Sequence, residues 1–153
     1  MEREMTYQGS CHCGDVEVCI ALSQPAPETD VAACQCSFCR RHGAGTVTDS
    51  RGRAEITSKA GTRMSSYRFG LATAEFLLCA RCGVYIGAVI DIEDKSYATI
   101  NVVGLAVPAF AAHKPKAVSY DGEDVEARIL RRRNLWIPAV VATEPGRIIS
   151  PTK

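Results

Sequence analysis

No apolar run in this chain approaches the roughly 20 residues that a bilayer-spanning helix needs. Charge of one sign is also missing: 18 Lys and Arg against 17 Asp and Glu leave a formal net charge of +1. Such a balance provides no whole-molecule field for nucleic acid or an anionic membrane, so neither is expected as a partner. Met1-Glu2-Arg3-Glu4-Met5 lacks the apolar core of a secretory signal, which points to a cytoplasmic protein. Internal repeats and domain-splitting linkers are absent, and no long amphipathic helix stands out. At 153 residues the whole chain, 1–153, reads as one domain large enough to bury a core.

Cysteine, by contrast, is abundant, with eight in the chain. An even number allows a disulfide framework, yet a chain of this length folds without such staples. The close Cys-x-Cys spacings also suit a metal better than a cross-link. Seven of the eight fall into three clusters: Cys11-His12-Cys13-Gly14, Cys34-Gln35-Cys36-Ser37-Phe38-Cys39 and Cys79-Ala80-Arg81-Cys82-Gly83. Cys19 stands apart.

The rest of the pattern is β. Val16, Val18 and Ile20 alternate with Glu17, Cys19 and Ala21, as a half-buried strand requires. Tyr67-Arg68-Phe69 ends at Gly70, and Glu75–Leu78 runs straight into the third cluster. Val84–Ile92 and Tyr97–Val103 are rich in β-branched residues around a Glu93-Asp94-Lys95 turn. Ser23–Asp30 reads as a loop, and short helical turns are expected after Cys36 and over Pro108–His113. The expected class is mostly β, in small antiparallel sheets tied by metal with few short helices. In the tail, Tyr120–Glu123 is a turn, and the arginines of Arg128–Arg133 are expected to form a solvated face in preference to an anion site.

Cys79-x-x-Cys82-Gly83 has the spacing of a zinc knuckle, with a glycine free to take the positive φ that such a curl needs. Cys11-x-Cys13-Gly14 supplies a second pair, and four thiolates make a closed structural site. Cys34, Cys36 and Cys39 then remain for a second ion. Cys19, on the polar side of its strand and without a neighbouring ligand, is expected to be a bystander. Three protein ligands and an open position are the pattern of a catalytic zinc, so two Zn2+ per chain are expected.

Three thiolates carry more negative charge than one zinc neutralises, so the site suits a soft fourth ligand better than water activation. A substrate thiol, with an ordinary pKa of about 8.5, would lose its proton on coordination and attack a carbonyl carbon. Arg40 and Arg41 can offset the excess charge and attract substrate carboxylates, and His42 is the candidate for moving a proton.

The stretches GSCHCGDVEV (9–18), CQCSFCRRHGAG (34–45), YRFG (67–70) and LCARCGVYIG (78–87) resemble the glutathione-dependent formaldehyde-activating enzyme family. That family also includes the centromere-protein-V-like domain. The likeness is strongest over 6–105, leaving 106–153 as a C-terminal extension. It implies a β-tent fold, a structural zinc on Cys11, Cys13, Cys79 and Cys82, and a catalytic zinc on Cys34, Cys36 and Cys39. It further implies a carbon–sulfur lyase of the S-(hydroxymethyl)glutathione synthase type, with a glutathione-like thiol and formaldehyde as small-molecule partners. Two other readings stay open, a zinc-stabilised binding module without catalysis and a lyase for a different thiol adduct. The segments Thr46–Thr62 and Tyr120–Ala139, expected to shape the pocket, carry no glutathione signature.

Overall fold

The computed structural model describes residues 5–59, 64–144 and 147–148. Twelve strands and two short α-helices follow in the order β1 (Met5–Ser10), β2 (Val16–Leu22), β3 (Ala32–Cys34), α1 (Ser37–His42), β4 (Thr46–Val47), β5 (Arg53–Ser58), β6 (Met64–Tyr67), β7 (Glu75–Cys79), β8 (Tyr85–Ile92), β9 (Lys95–Asn101), β10 (Lys116–Val118), α2 (Val125–Leu135), β11 (Ile137–Glu144) and β12 (Arg147–Ile148). Single 3-10 turns cover Ala26–Glu28 and Pro108–Phe110. The chain is therefore mostly β with few short helices, as expected.

Alternation sets the core. Val16, Val18 and Ile20 of β2 are buried while Glu17 is exposed, and β5 repeats the pattern with Ala54 and Ile56 inward. β8 lies between β7 and β9, and its first six residues, Tyr85–Ile90, are all buried. A strand covered on both faces reads as a continuous apolar run. Ile86, Val89, Ile100 and Ile137 join β2 and β5 in the main core.

The hydrogen-bonded path runs β1-β2-β5-β11-β9-β4-β3-β10, with β8, β7 and β6 continuing outward from β9. Most pairings are antiparallel, but β5/β11 and β3/β10 are parallel. Both parallel pairs use the tail. β11 bonds β9 through Ile137 and Pro138, then β5 through Ala139–Ala142, so one strand stitches the two halves together. β10 lies along β3 in the register Val118↔Cys34.

The tail also holds a helix where none was expected. Asp124 caps α2 by accepting the Ala127 N–H at 2.8 Å. The face turned inward bears Arg128, Arg131 and Arg132 instead of the usual leucines, and only Arg133 of the four arginines is exposed. The solvated-face expectation for this run fails there. Positions i, i+3 and i+4 of a helix share a face, and this face packs on the protein. Ile129 and Trp136 complete the contact, against Ala74, Ala88 and Ile90.

Candidate metal centres and the cavity beside them

Two knuckles of nearly the same design bring the first four cysteines together. In one, Cys11 N–H donates to Val16 O at 2.9 Å and Gly14 N–H to Cys11 O at 3.1 Å. In the other, Cys79 N–H donates to Val84 O at 3.0 Å and Gly83 N–H to Cys79 O at 2.9 Å. Gly14 and Gly83 take φ of +84° and +82°, the left-handed turn that lets each loop close around its sulfurs. Arg81 reaches from the second knuckle to Asp15 of the first, at 3.4 Å.

The four sulfurs all lie within 4.8 Å of one another. Cys11 Sγ to Cys13 Sγ and Cys13 Sγ to Cys79 Sγ are both 3.6 Å. A disulfide would need about 2.05 Å. Sulfurs about 2.3 Å from a tetrahedral zinc sit about 3.8 Å from each other, so the spacing fits that ion. The Val16 N–H donates to Cys11 Sγ at 3.2 Å.

Cys34, Cys36 and Cys39 also place their sulfurs within 4.8 Å of one another. Cys34 ends β3, Cys36 is the N-cap of α1 and Cys39 lies in its first turn. The cap is made by sulfur: Cys36 Sγ accepts the Cys39 N–H at 3.3 Å. Gly43 ends the helix at φ 58°. Strand β10 steadies this loop, with Gln35 N–H donating to Val118 O at 2.9 Å.

Charge is shared unevenly inside both groups. Hydrogen bonding from Cys39 draws the Cys34 thiol down to about 5 against its desolvation, with help from the Cys36 N–H and Arg131. Cys39 is pushed far above the ordinary thiol range by that same hydrogen bond, then by burial and the Cys34 charge. In the first group the Asp15 N–H favours the Cys13 anion, yet desolvation and the neighbouring sulfurs push Cys13 up to about 12. Cys82, despite desolvation, is drawn down to about 6 by the Val84 and Cys13 N–H groups. In each group one thiol is drawn down and another pushed up. Full ionisation in so small a space needs a cation among the sulfurs. Both groups can hold a metal ion, and the all-sulfur donor sets suit zinc.

The surroundings of the two groups differ. Cys11 and Cys79 belong to the main core. Cys34, Cys36 and Cys39 instead line a cavity of about 130 Å³. Its apolar side includes Phe69, Phe76, Tyr85 and Trp136, and its polar side Thr73, Tyr120, Arg128, Arg131 and Arg132. Phe38 anchors the aromatic side, with ring centroids 5.0 Å from both Phe76 and Tyr85. Burial and the three cysteines keep the Tyr85 phenol far above its ordinary pKa, so it stays protonated at neutral pH. Buried Asn101 braces this wall by donating to Tyr85 O at 2.8 Å and accepting from Gly45 and Gly104 N–H, each at 3.1 Å.

Arg40, Arg41 and His42 form the exposed last turn of α1, and none of them lines the cavity. His42 packs on Phe38 at 4.5 Å and lies 5.7 Å from Tyr85, ring to ring. The cations that do line the cavity come from α2, within the Tyr120–Ala139 segment expected to shape the pocket but with its arginines expected on a solvated face. Asp124-Val-Glu-Ala as a capped start would have revealed that helix, and Arg128, Arg132 and Trp136 at four-residue steps its inward face. Both segments expected to shape the pocket do contribute, Thr46 and Thr48 from one and Tyr120 to Trp136 from the other. Residues 60–62, at the end of Thr46–Thr62, lie outside the described residues. Cys19 joins neither sulfur group.

A crystal structure of a Rhodobacter sphaeroides protein is similar to this one. The two are 30% identical with a TM-score of 0.53, over 72% of this chain and 99% of that chain. No curated protein sequence matches significantly. The family model described as glutathione-dependent formaldehyde-activating enzyme matches residues 6–121. That span includes both sulfur groups and continues through β10 to the cavity wall at Tyr120, and the chain belongs to that family.

Proposed function

We propose that the chain is a zinc-dependent enzyme of the carbon–sulfur lyase type, joining a glutathione-like thiol to a small aldehyde such as formaldehyde, or releasing it. One observation carries the reading: the three-sulfur group opens on a cavity, whereas the four-sulfur group is built into the core. In this reading Cys11, Cys13, Cys79 and Cys82 hold a structural zinc, and Cys34, Cys36 and Cys39 a second, catalytic one. Zinc at the second position supplies the Lewis acidity that keeps a ligand sulfur deprotonated at neutral pH.

The remaining work belongs to the cavity. Phe69, Phe76 and Trp136 exclude water from the reacting sulfur, which raises the strength of every charge interaction there. Sulfur bonds to the aldehyde carbon, the C=O π pair moves to oxygen, and a proton equivalent to the one lost by the thiol ends on that oxygen. Tyr85 holds its proton through the neutral range and is our candidate donor of the hydrogen bond to it. We place the reaction in the cytoplasm, where small thiols remain reduced.

Cobalt replacement tests the reading without relying on turnover. Each added thiolate strengthens the sulfur-to-metal charge-transfer absorption, so glutathione should change the spectrum of the wild type but not of Cys36→Ser. Formaldehyde should then give hydroxymethyl adduct faster than the free thiol does at equal pH. A cobalt spectrum indifferent to thiols would remove thiol activation and leave a zinc-stabilised binding module. Thiol binding without a rate gain would instead point to another electrophile.

A further inference from the structure

Arg132 is only 7% exposed, yet it lines the cavity beside the three cysteines. Among the described residues its guanidinium donates one hydrogen bond, from Nη1 to Thr73 Oγ1 at 2.5 Å, and lies 4.7 Å from the centre of the Trp136 ring. Nε is buried and has no hydrogen-bond partner among the described residues. No carboxylate pairs with it there. Its neighbours are different: Arg128 and Arg131 share Glu123 at 3.1 and 2.8 Å, and Arg131 also covers the Tyr120 ring at 3.5 Å. Asp121, the acid among the residues that line the cavity, is exposed.

Glu123 acts on Arg132 only through space, and a buried cation with no carboxylate hydrogen-bonded to it is costly and persists where something else is gained. We infer that Arg132 is the anion-receiving residue of this cavity, and that the thiol bound at Cys34, Cys36 and Cys39 carries a carboxylate that Arg132 takes. The inference rests on the thiol-binding reading above and adds the residue that selects a thiol for its carboxylate. A planar guanidinium matches a carboxylate with two parallel hydrogen bonds, which an ammonium cannot do. Trp136 and Thr73 already hold the fork, so little freedom is lost when an anion arrives. Burial, then the charges of Arg131 and Arg128, draw Arg132 down to about 10; it is still a cation at neutral pH, and a bound anion opposes that shift. The cavity, at about 130 Å³, is smaller than the roughly 300–1,000 Å³ that encloses a drug-sized ligand. The carboxylate therefore lies within a few bonds of the sulfur, or enters from a longer thiol peptide lying across the mouth.

Calorimetry on the purified full chain with its metal separates these cases, using 3-mercaptopropionate, its methyl ester, propionate and glutathione. The acid should bind wild type about tenfold or more tighter than the ester. That ratio should fall towards one in Arg132→Gln and recover only in part in Arg132→Lys. Weakening of glutathione by the same change would assign the carboxylate to a thiol peptide; weakening of mercaptopropionate alone would assign it to a small mercapto acid. Propionate binding that needs Arg132, with no thiol binding, would keep the anion site and remove the thiol reading. Equal binding of acid and ester to wild type overturns the inference while leaving the thiol reading intact, and needs no variant. Survival of the preference in Arg132→Gln overturns it too, and binding of neither thiols nor propionate removes both readings.

Discussion

Cys11, Cys13, Cys79 and Cys82 meet from two strand ends far apart in sequence, whereas Cys34, Cys36 and Cys39 come from one strand end and the first turn of the next helix. The first group joins segments that would otherwise pay a large loop-closure entropy, and its glycines and paired backbone bonds serve only to shape the knuckles. The second joins nothing distant. Its sulfurs instead face aromatic rings and arginines contributed by β7, β8 and α2. The same side chain is thus built into the core in one place and lines a cavity in the other, which is what the proposed roles of fastener and ligand site rest on.

Breaking the first group should have the largest effect. Cys79→Ser removes a buried sulfur from a site whose metal contributes folding energy directly, so we expect loss of the cooperative thermal transition and of both metals. Circular dichroism and metal analysis check it. A folded variant that retains wild-type stability would end the distinction between fastener and ligand site.

The matching change in the second group should be mild. Cys36→Ser removes a sulfur donor but leaves an oxygen able to accept the Cys39 N–H, so α1 keeps its cap. We expect a folded protein whose zinc content drops from two per chain to one. Cys36→Ala loses the cap as well, and should be less stable than Cys36→Ser by about 1 kcal/mol. If the two variants unfold together, sulfur capping does not hold α1.

These contrasts also mark how far the sequence could be read. Cysteine spacing and following glycines are local, so the partition into four and three is legible from them alone. Val16–Leu22 and Tyr85–Ile92 were equally legible, because alternation and unbroken apolarity follow directly from one-sided and two-sided burial. The inward turn of the arginines on the cavity wall was not. Helix α2 buries arginines, and a face of guanidiniums looks like a solvated one until its partners are in place. Those partners, Glu123 and Thr73, come from outside the helix. Arg40 and Arg41 stand next to Cys39 in sequence, but adjacency along a helix turns side chains to different faces, and neither lines the cavity.

The arginine side of the comparison has a pH signature. Hydrogen bonding from Arg131, opposed by desolvation and helped by Arg128, holds the Glu123 carboxyl below its ordinary value of 4.5. A carboxyl depressed in the folded state contributes its stability in full above the unfolded value, and loses it as pH falls through the folded value. Wild type should therefore lose more stability than Glu123→Gln between about pH 5 and pH 3, by about 1 kcal/mol or less, since this pair is partly solvated. Denaturant melts across that range read the difference. Parallel acid limbs would mean that Glu123 does not brace α2.

The smallest effect is expected at Cys19, the cysteine that belongs to neither group. It sits on β2 between Gln8 of β1 and Glu55 of β5, half-buried on the side opposite the Val18 and Ile20 core stripe. Ladder hydrogen bonds hold its backbone whatever the side chain, and serine replaces sulfur by a smaller polar atom in a setting that already contains Gln8 and Glu55. Cys19→Ser should therefore change stability by about 0.5 kcal/mol or less, keep both zincs and leave the thiol-induced cobalt spectrum unaltered. Stability and metal content have to be read together. A stability loss with the metals retained would only reveal tighter packing on this face. Release of the second zinc would place a fourth sulfur on it, closing the position on which the contrast between the two groups depends.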